Sequence, residues 1–488
     1  MRAAHRAWAG VALALGLLGG CKAGPDYARP PAPTPEAFKE LAGWRPSEPQ
    51  DTIDRGAWWS VYRDPVLDRL ERQVEISNQT LRQAEAAFRE ARAVVREARA
   101  SLFPTLSLAT GAQRQGTGTS GRGVSVGGTR VGGGGTTTTV VNTYNLQGQA
   151  SWDLDLWGRI RRSVESDVAN AQASAADLAS ARLSAQAELA ADYFQLRSLD
   201  AQARLFAGTT EQYRRALQIA QNQYNAGIVA RSDVVTALTQ LQTTQAQAVD
   251  LGVRRAQLEH AIAVLTGAPP ADLSLPPGPL AARVPVAPAT LPSTLLERRP
   301  DIAAAERRMQ QQNALIGVAV AAYYPDISLS AALSYAGHPL SSLISTSNEV
   351  WTLAASATQT LFEGGLRGAQ VEAARAAYDQ SVAAYRQTVL GAFQEVEDQL
   401  AALRILQEEA KAEDAAVRSA REAVQLTLNE YRAGTVAFTT VITAQTTLLA
   451  DERAALAIQE ARLVASVSLI QALGGGWDAT RLPAARSF

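Results

Sequence analysis

Two hydrophobic periods alternate along the chain. From Tyr144 to Leu156, the residues Tyr144, Leu146, Ala150, Trp152, Leu154 and Leu156 fall on one side of an extended backbone. Asn145, Gln147, Gln149, Ser151, Asp153 and Asp155 fall on the other. A period of two marks a strand with one apolar and one polar face. The pattern recurs where Ile327, Leu329, Ala331, Leu333 and Tyr335 oppose Asp326, Ser328, Ser330 and Ser334. Weaker alternation at Thr105–Gln113 and Trp351–Leu361 supplies a hairpin partner in each case. At about 9–12 residues, these strands have the length of a transmembrane β-strand. A soluble sandwich with one wetted face shares the alternation.

The second period is helical. A first segment runs from Pro65 to Leu102 and stops before Pro104. Ile160–Tyr224 and Leu366–Tyr431 contain no proline and are dense in Ala, Gln, Glu and Arg. At about 1.5 Å per residue, each predicts a helix of roughly 98 Å. Ser232–Thr266 and Thr439–Leu473 read as shorter return helices, and Leu291–Ala322 as a further one. The long helices are flanked if Pro65–Leu102 stacks end to end on Ser232–Thr266, and Leu291–Ala322 on Thr439–Leu473. Val382, Val389, Val396 and Leu403 keep a seven-residue spacing, as do Ile442, Leu449, Leu456, Leu463 and Ile470, and Leu251, Leu258 and Leu265. A strict heptad implies left-handed supercoiling, which an ordinary coiled coil also has.

The chain is written twice. Tyr224-Asn-Ala-Gly227-Ile-Val-Ala returns as Tyr431-Arg-Ala-Gly434-Thr-Val-Ala, at an offset of 431 − 224 = 207 residues. The same offset carries Gly158 onto Gly365 and Gly267 onto Gly474. This is a tandem duplication. The organisation that follows is a signal peptide at 1–20, an extended arm at 21–64, a first repeat at 65–267, a proline-rich linker at 268–290, a second repeat at 291–474 and a tail at 475–488. Pro104 and Gly158 are 54 positions apart, whereas Pro325 and Gly365 are 40 apart. The low-complexity Gly, Thr and Ser segment Gly116–Thr139 accounts for the excess and reads as a mobile loop.

The amino terminus changes the picture further. Arg2, His5 and Arg6 precede an apolar stretch, Ala7–Leu18, that is too short for a permanent span. It ends Leu18-Gly19-Gly20-Cys21, and Cys21 is the sole cysteine of the chain. This is the pattern of a lipobox, with Cys21 as the acylated first residue of the mature protein. Lys22 follows in place of the aspartate that commonly retains lipoproteins at the inner membrane, which favours the outer membrane. A net charge of −1 gives no reason to expect nucleic acid. The histidines are His5, His260 and His338, and no phosphate-binding loop, metal cluster or nucleophile constellation is present, so the sequence does not read as an enzyme.

Four strands cannot close a barrel, and strand edges cannot face lipid unpaired. Two copies would give eight strands and a barrel filled by its own side chains; three would give twelve and a lumen. The expected fold is a membrane α+β protein: a trimeric 12-stranded β-barrel, four strands per chain, continued by a long periplasmic α-helical coiled-coil barrel.

Leu-Gly-Gly-Cys21, Gly24-Pro-Asp-Tyr27-Ala-Arg-Pro, Trp58-Trp59 with Asp64-Pro65, Leu-Asp-Leu-Trp-Gly158-Arg and Leu296-Glu-Arg-Arg-Pro300-Asp-Ile all resemble the outer membrane factor family. These are the TolC-like trimeric exit ducts, and the chain is similar to the NodT-type lipoprotein branch of RND efflux systems. The resemblance implies a homotrimer in the outer membrane that works with a periplasmic adaptor and an RND-type inner-membrane transporter. It needs no cofactor beyond the lipid on Cys21, and it passes small toxic molecules outward passively. A duct for type I protein secretion and a lipid-anchored coiled-coil scaffold without a pore are the alternatives.

The resemblance also implies that the turns at Tyr224, Gly227, Tyr431, Arg432 and Gly434 dock the adaptor. It further implies that Tyr431 and Asp233 tie the inner ends shut. The glycines equally suit a left-handed helix cap, and Asp233 a favourable helix start just after a capping Ser232. Where the family commonly has an arginine past the second tip and acidic rings in the pore, this chain has Val436, Thr440 and Thr443. Hydroxyl rings hold cations weakly, so weak divalent-cation block is expected.

Overall fold

The computed structural model describes residues 22–35, 37–41, 56–119, 137–281, 283–285 and 297–488. Residues 1–21, 36, 42–55, 120–136, 282 and 286–296, which include the expected signal peptide, Cys21 and the end of the linker, lie outside them. Helices α1 (Pro65–Ser77), α2 (Gln79–Ala100), α3 (Arg159–Asn225) and α4 (Arg231–Leu265) belong to the first repeat. Helices α5 (Pro300–Ala321), α6 (Leu366–Arg432) and α7 (Phe438–Ala472) belong to the second. Strands β1 (Thr105–Thr119) and β2 (Thr137–Asp153) precede α3, and β3 (Asp326–Gly337) and β4 (Glu349–Thr358) precede α6.

The helices form a wall. Helix α3 packs on α2 and α4 on one side and on α5 and α7 on the other, and α5 and α7 in turn pack on α6. Both long helices contain 67 residues, roughly 100 Å at 1.5 Å per residue. The heptad positions Val389, Val396, Leu403, Leu449 and Leu463 are buried in this wall.

The expected end-to-end stacking rests on a joint that sequence periodicity passed over. The first helical segment is not continuous: Asn78 is extended, with ψ 124°, and separates α1 from α2. Its Oδ1 accepts from Leu81 N at 3.0 Å, which caps α2, while its Nδ2 donates to Leu265 O at 2.7 Å at the end of α4. One side chain thus satisfies groups at two helix ends. In the second repeat Arg299 has the matching place, donating from Nη1 to Ala472 O at 2.9 Å. Gly267 and Gly474 close α4 and α7 with positive φ. A Cβ on either would overlap the carbonyl oxygen of Ser77 or Arg298, so the joints admit no side chain there.

The four strands form one antiparallel sheet in the order β1-β2-β3-β4. The first hairpin is longer than expected. Thr117 pairs with Thr139 and Thr119 with Thr137, so both ends of the Gly/Thr segment read as loop are ladder. Threonine and valine at 137–141 supply the β-branched residues that favour this extension. Register keeps the apolar sets together. Leu106, Ala150, Ala331 and Leu353 lie across one row, and Leu108, Gly148, Leu333 and Trp351 across the next.

The linker is more than a spacer. Leu275 is buried in the main core, which also contains Trp58, Trp59, Leu189 and Phe194. Arg197 donates to Asp200 and to Pro276 O, both at 2.8 Å, and Gly278 N donates to Asp200 at 2.9 Å. Arg255 completes this buried group through Asp200 at 2.8 Å. The proline-rich stretch is therefore strapped across α3 and α4 by paired charges that its composition did not disclose.

Candidate functional site

Three features bear on function: the exposed sheet, the two tips, and the extended arm that precedes α1. On the sheet, the apolar face is bare. Leu106 is 85% exposed, Leu353 74% and Trp351 68%. The outer edges of β1 and β4 have no neighbour in the sheet. Aromatic side chains gather where strands meet helices: Phe103 before β1, Trp157 after β2, Tyr323 and Tyr324 before β3, and Phe362 after β4. Trp157 stacks on Tyr324 with ring centroids 4.8 Å apart and donates to Pro325 O at 2.9 Å. Tyr144, Tyr335 and Trp351 lie toward the other end. Ten residues separate Pro325 from Tyr335, about 34 Å along a strand. With the tilt of a membrane barrel this gives a band roughly 25 Å tall. No helix among the described residues is long and apolar enough to cross a membrane. The sheet is the part of the chain with membrane dimensions.

Each tip is a Schellman turn. Gly227, with φ 74°, donates to Tyr224 O at 2.9 Å, and Ile228 N donates to Gln223 O at 2.9 Å. Gly434, with φ 76°, repeats this with Tyr431 O and, through Thr435 N, Glu430 O, both at 3.0 Å. A Cβ on either glycine would meet nothing within 4 Å beyond its chain neighbours, so the requirement is for backbone conformation alone. Return helices α4 and α7 start from Ala230 and Ala437 without a side-chain cap. Ser232 is therefore not the capping residue expected of it. It lies inside the first turn, and Asp233 stands one residue further in, where a negative charge still meets the positive end of the helix.

The tips pack on each other through Ala216, Ala220, Ala237, Tyr431, Phe438 and Val441. Tyr431 stacks obliquely on Phe438 at 5.1 Å and is only 3% exposed, whereas Tyr224 is 41% exposed. The surface of the tips exposes Tyr224, Arg432 and the two glycine turns. Tyr431 supports them from beneath, and its burial corrects the expectation that it forms part of that surface. Asp233 is close enough that its carboxylate, after burial, helps hold the Tyr431 phenol above its ordinary pKa. The expected Tyr431–Asp233 tie is not made within the chain: the Tyr431 hydroxyl is buried without a hydrogen-bond partner among the described residues. Thr440 and Thr443 are exposed on α7, and the Thr443 hydroxyl donates back to Thr439 O at 2.9 Å.

The run Leu-Asp-Leu-Trp-Gly158-Arg is the junction between sheet and long helix. Asp155 accepts from Ile160 N at 3.0 Å and Arg161 N at 2.9 Å, covering the first turn of α3, and Gly158 takes φ 80°. Beside it, Ala23 N of the arm donates to Trp157 O at 2.9 Å. Residues 22–35 and 37–41 then run along the wall, with Arg29 on Tyr385, Phe38 against Phe393, and Glu40 paired to Arg404 at 2.6 Å. The composition of the arm predicted an extended segment, but not these partners.

Residues 70–268 and 291–475 match the family of outer membrane efflux proteins, one stretch in each repeat. The chain belongs to that family. It is 29% identical over 464 residues to the toluene efflux pump outer membrane protein TtgC of Pseudomonas putida, covering 94% of both chains. It is 30% identical over 476 residues to the cation efflux system protein CusC of Escherichia coli, covering 96% of this chain and 98% of that one. Among solved structures, the outer-membrane channel OprN superposes with a TM-score of 0.83 at 31% identity, over 94% of this chain and 100% of that one. The protein is an outer-membrane exit duct for efflux.

Proposed function

We propose that three copies of this chain close one pipe. The observation that carries this is the bare apolar face held in register across four strands whose two outer edges are open. Joining β4 of one copy to β1 of the next leaves no edge in lipid, and twelve strands leave a lumen. The helical wall supports the same closure. It too ends in two flanks, with Val249 and Val253 of α4 exposed on one and Leu390, Ile405 and Leu426 of α6 exposed on another. A head-to-tail ring buries both flanks in a single operation.

In this reading the sheet crosses the outer membrane and the helices extend roughly 100 Å into the periplasm. The tips meet a periplasmic adaptor, which links the duct to an RND-type inner-membrane transporter. The duct itself is passive: it supplies a path, and the transporter supplies energy and selection. Its cargo is small toxic molecules, in keeping with the toluene and cation efflux named for its relatives. Cys21 carries the lipid that anchors the amino terminus.

Cysteines introduced in turn along β1 and β4, with Cys21 left to be acylated, test the closure. Oxidation is expected to give a covalent ladder ending at the trimer. A ladder ending at two or four copies, or no β1-to-β4 cross-link at any register, contradicts it.

A further inference from the structure

Helix α2 leads into β1 and α6 follows β4, so these two helices are attached to the two open edges of the sheet. They run in opposite senses, one toward the strands and the other away from them. Within the chain α2 packs chiefly on α3, and α6 on α7 and α5, which leaves each a flank turned away from the wall. Both flanks carry exposed charges that make no ion pair or side-chain hydrogen bond among the described residues. They are Glu85, Arg89 and Arg96 on α2, and Glu372, Asp379 and Arg386 on α6.

The spacing of these charges is regular. Arg89 and Arg96 stand seven residues apart, as do Glu372 and Asp379. A seven-residue step keeps side chains on one ridge, about 10.5 Å apart. On antiparallel helices, Arg96 therefore comes level with Glu372 when Arg89 comes level with Asp379. Glu85 then falls within one turn of Arg386. The last turn of α2 also meets the first turn of α6, which places both strand-to-helix boundaries at one height. Sliding one heptad toward the tips sets Arg89 against Arg386, a like-charge contact. Sliding one heptad the other way carries Arg96 past Leu366, where α6 begins. Beside the charges, exposed Ala86, Ala93 and Ala100 fall opposite Ala383, Ala376 and Ala369 in the favoured register. Small side chains at a contact let two helices approach closely, within reach of the long charged arms. Glu90 and Glu97 lie on the other side of these alanines, level with Gln380 and Ala373.

We infer that an ion-pair ladder, Arg89 to Asp379 and Arg96 to Glu372, joins α2 of one copy to α6 of the next and restricts the neighbour to a second copy of this chain. The inference rests on the three-copy ring. A single exposed pair adds little affinity. A row of pairs in fixed order instead selects, because a neighbour with the wrong sign at these positions brings like charges together. The ladder therefore sets the register of neighbouring copies and excludes related duct chains with another charge order.

The test uses purified full-length protein in detergent, with native mass spectrometry to count copies and circular dichroism to read helix content. The wild type is expected to be a trimer. Arg89→Glu/Arg96→Glu and Glu372→Arg/Asp379→Arg, each pair alone, are expected to lower the ratio of trimer to monomer at least about tenfold. Helix content should hold, since these side chains have no partner in their own chain. All four substitutions in one chain are expected to restore the trimer and, on co-expression with wild type, to give no hybrid rings. Ala93→Cys/Ala376→Cys is expected to cross-link neighbouring copies on oxidation, and Ala93→Cys/Ala383→Cys is not. Trimers undiminished by either pair of reversals, loss without rescue by all four, or a cross-link confined to Ala383 would overturn the ladder and leave the ring standing. A wild type that is not a trimer overturns the ring, and the ladder with it.

Discussion

Tyr224 and Tyr431 occupy the same place in the two repeats, three residues before a left-handed glycine, yet one is open to solvent and the other is sealed in the tip. The residue that separates them is found after the turn. Arg231 opens α4 where Phe438 opens α7, and the Phe438 ring covers Tyr431. The duplication kept the turn and made the two faces different.

The buried Tyr431 hydroxyl, without a hydrogen-bond partner among the described residues, gives a first prediction. Tyr431→Phe removes an unsatisfied buried group, worth about 1–3 kcal/mol, and is expected to leave melting temperature unchanged or raised. Its closed-state conductance in planar bilayers should match the wild type. A rise in basal conductance would mean that the hydroxyl finds a partner, such as Asp233, only in the assembled duct.

Thr440 and Thr443 offer hydroxyls where charge would hold a cation. Single-channel recordings are expected to show little block by magnesium or cobalt, and the double variant Thr440→Asp/Thr443→Asp should gain it. Strong block of the wild type at millimolar metal would contradict this reading of the inner opening.

Glu71 on α1 is wholly buried, and both its oxygens lack a hydrogen-bond partner among the described residues. Burial first, and Glu75 one turn away second, push its pKa from 4.5 up to about 9. The folded chain therefore holds a proton that the unfolded chain has lost between these values. The stability contribution is full below about 4.5 and lost as pH rises through about 9. Glu71→Gln is expected to flatten that decline, read as melting temperature from pH 5 to 9. An identical slope in wild type and variant would remove Glu71 as its source.

The four turn glycines should not respond alike. Gly227→Ala and Gly434→Ala carry only the left-handed backbone penalty, about 1–2 kcal/mol, because the added Cβ would enter open space. Gly267→Ala and Gly474→Ala add an overlap with Ser77 or Arg298 and are expected to lower the melting temperature further. Equal losses at all four sites would mean that the stacked joints relax freely.

Much of this architecture was legible because it is periodic. The strand alternation, the heptads and the offset of 207 residues placed the strands and the long helices, although β1 runs on to Thr119 rather than ending at Gln113 and β4 spans Glu349–Thr358 rather than Trp351–Leu361. What escaped was what single side chains do across long separations. The break at Asn78 looks like continuous helix, because asparagine in a helical pattern carries no mark of the carbonyl it will cap. Strand pairing into Gly116–Thr119 was hidden by glycine-rich composition, which signals a loop more strongly than its threonines signal a ladder. At the tips, the glycine turns were readable from their spacing. The burial of Tyr431 was not, since it depends on Phe438 and on packing against the other tip.

The most direct test of the duct is dye accumulation in cells that lack this gene and have no other exit duct, complemented with wild type or with Gly227→Val/Gly434→Val. Dye is expected to build up without the gene, to be cleared by wild type, and to remain with a tip variant shown to be inserted in the outer membrane. Equal clearance with and without the gene would contradict an efflux duct, and full rescue by the inserted tip variant would contradict recruitment through the tips.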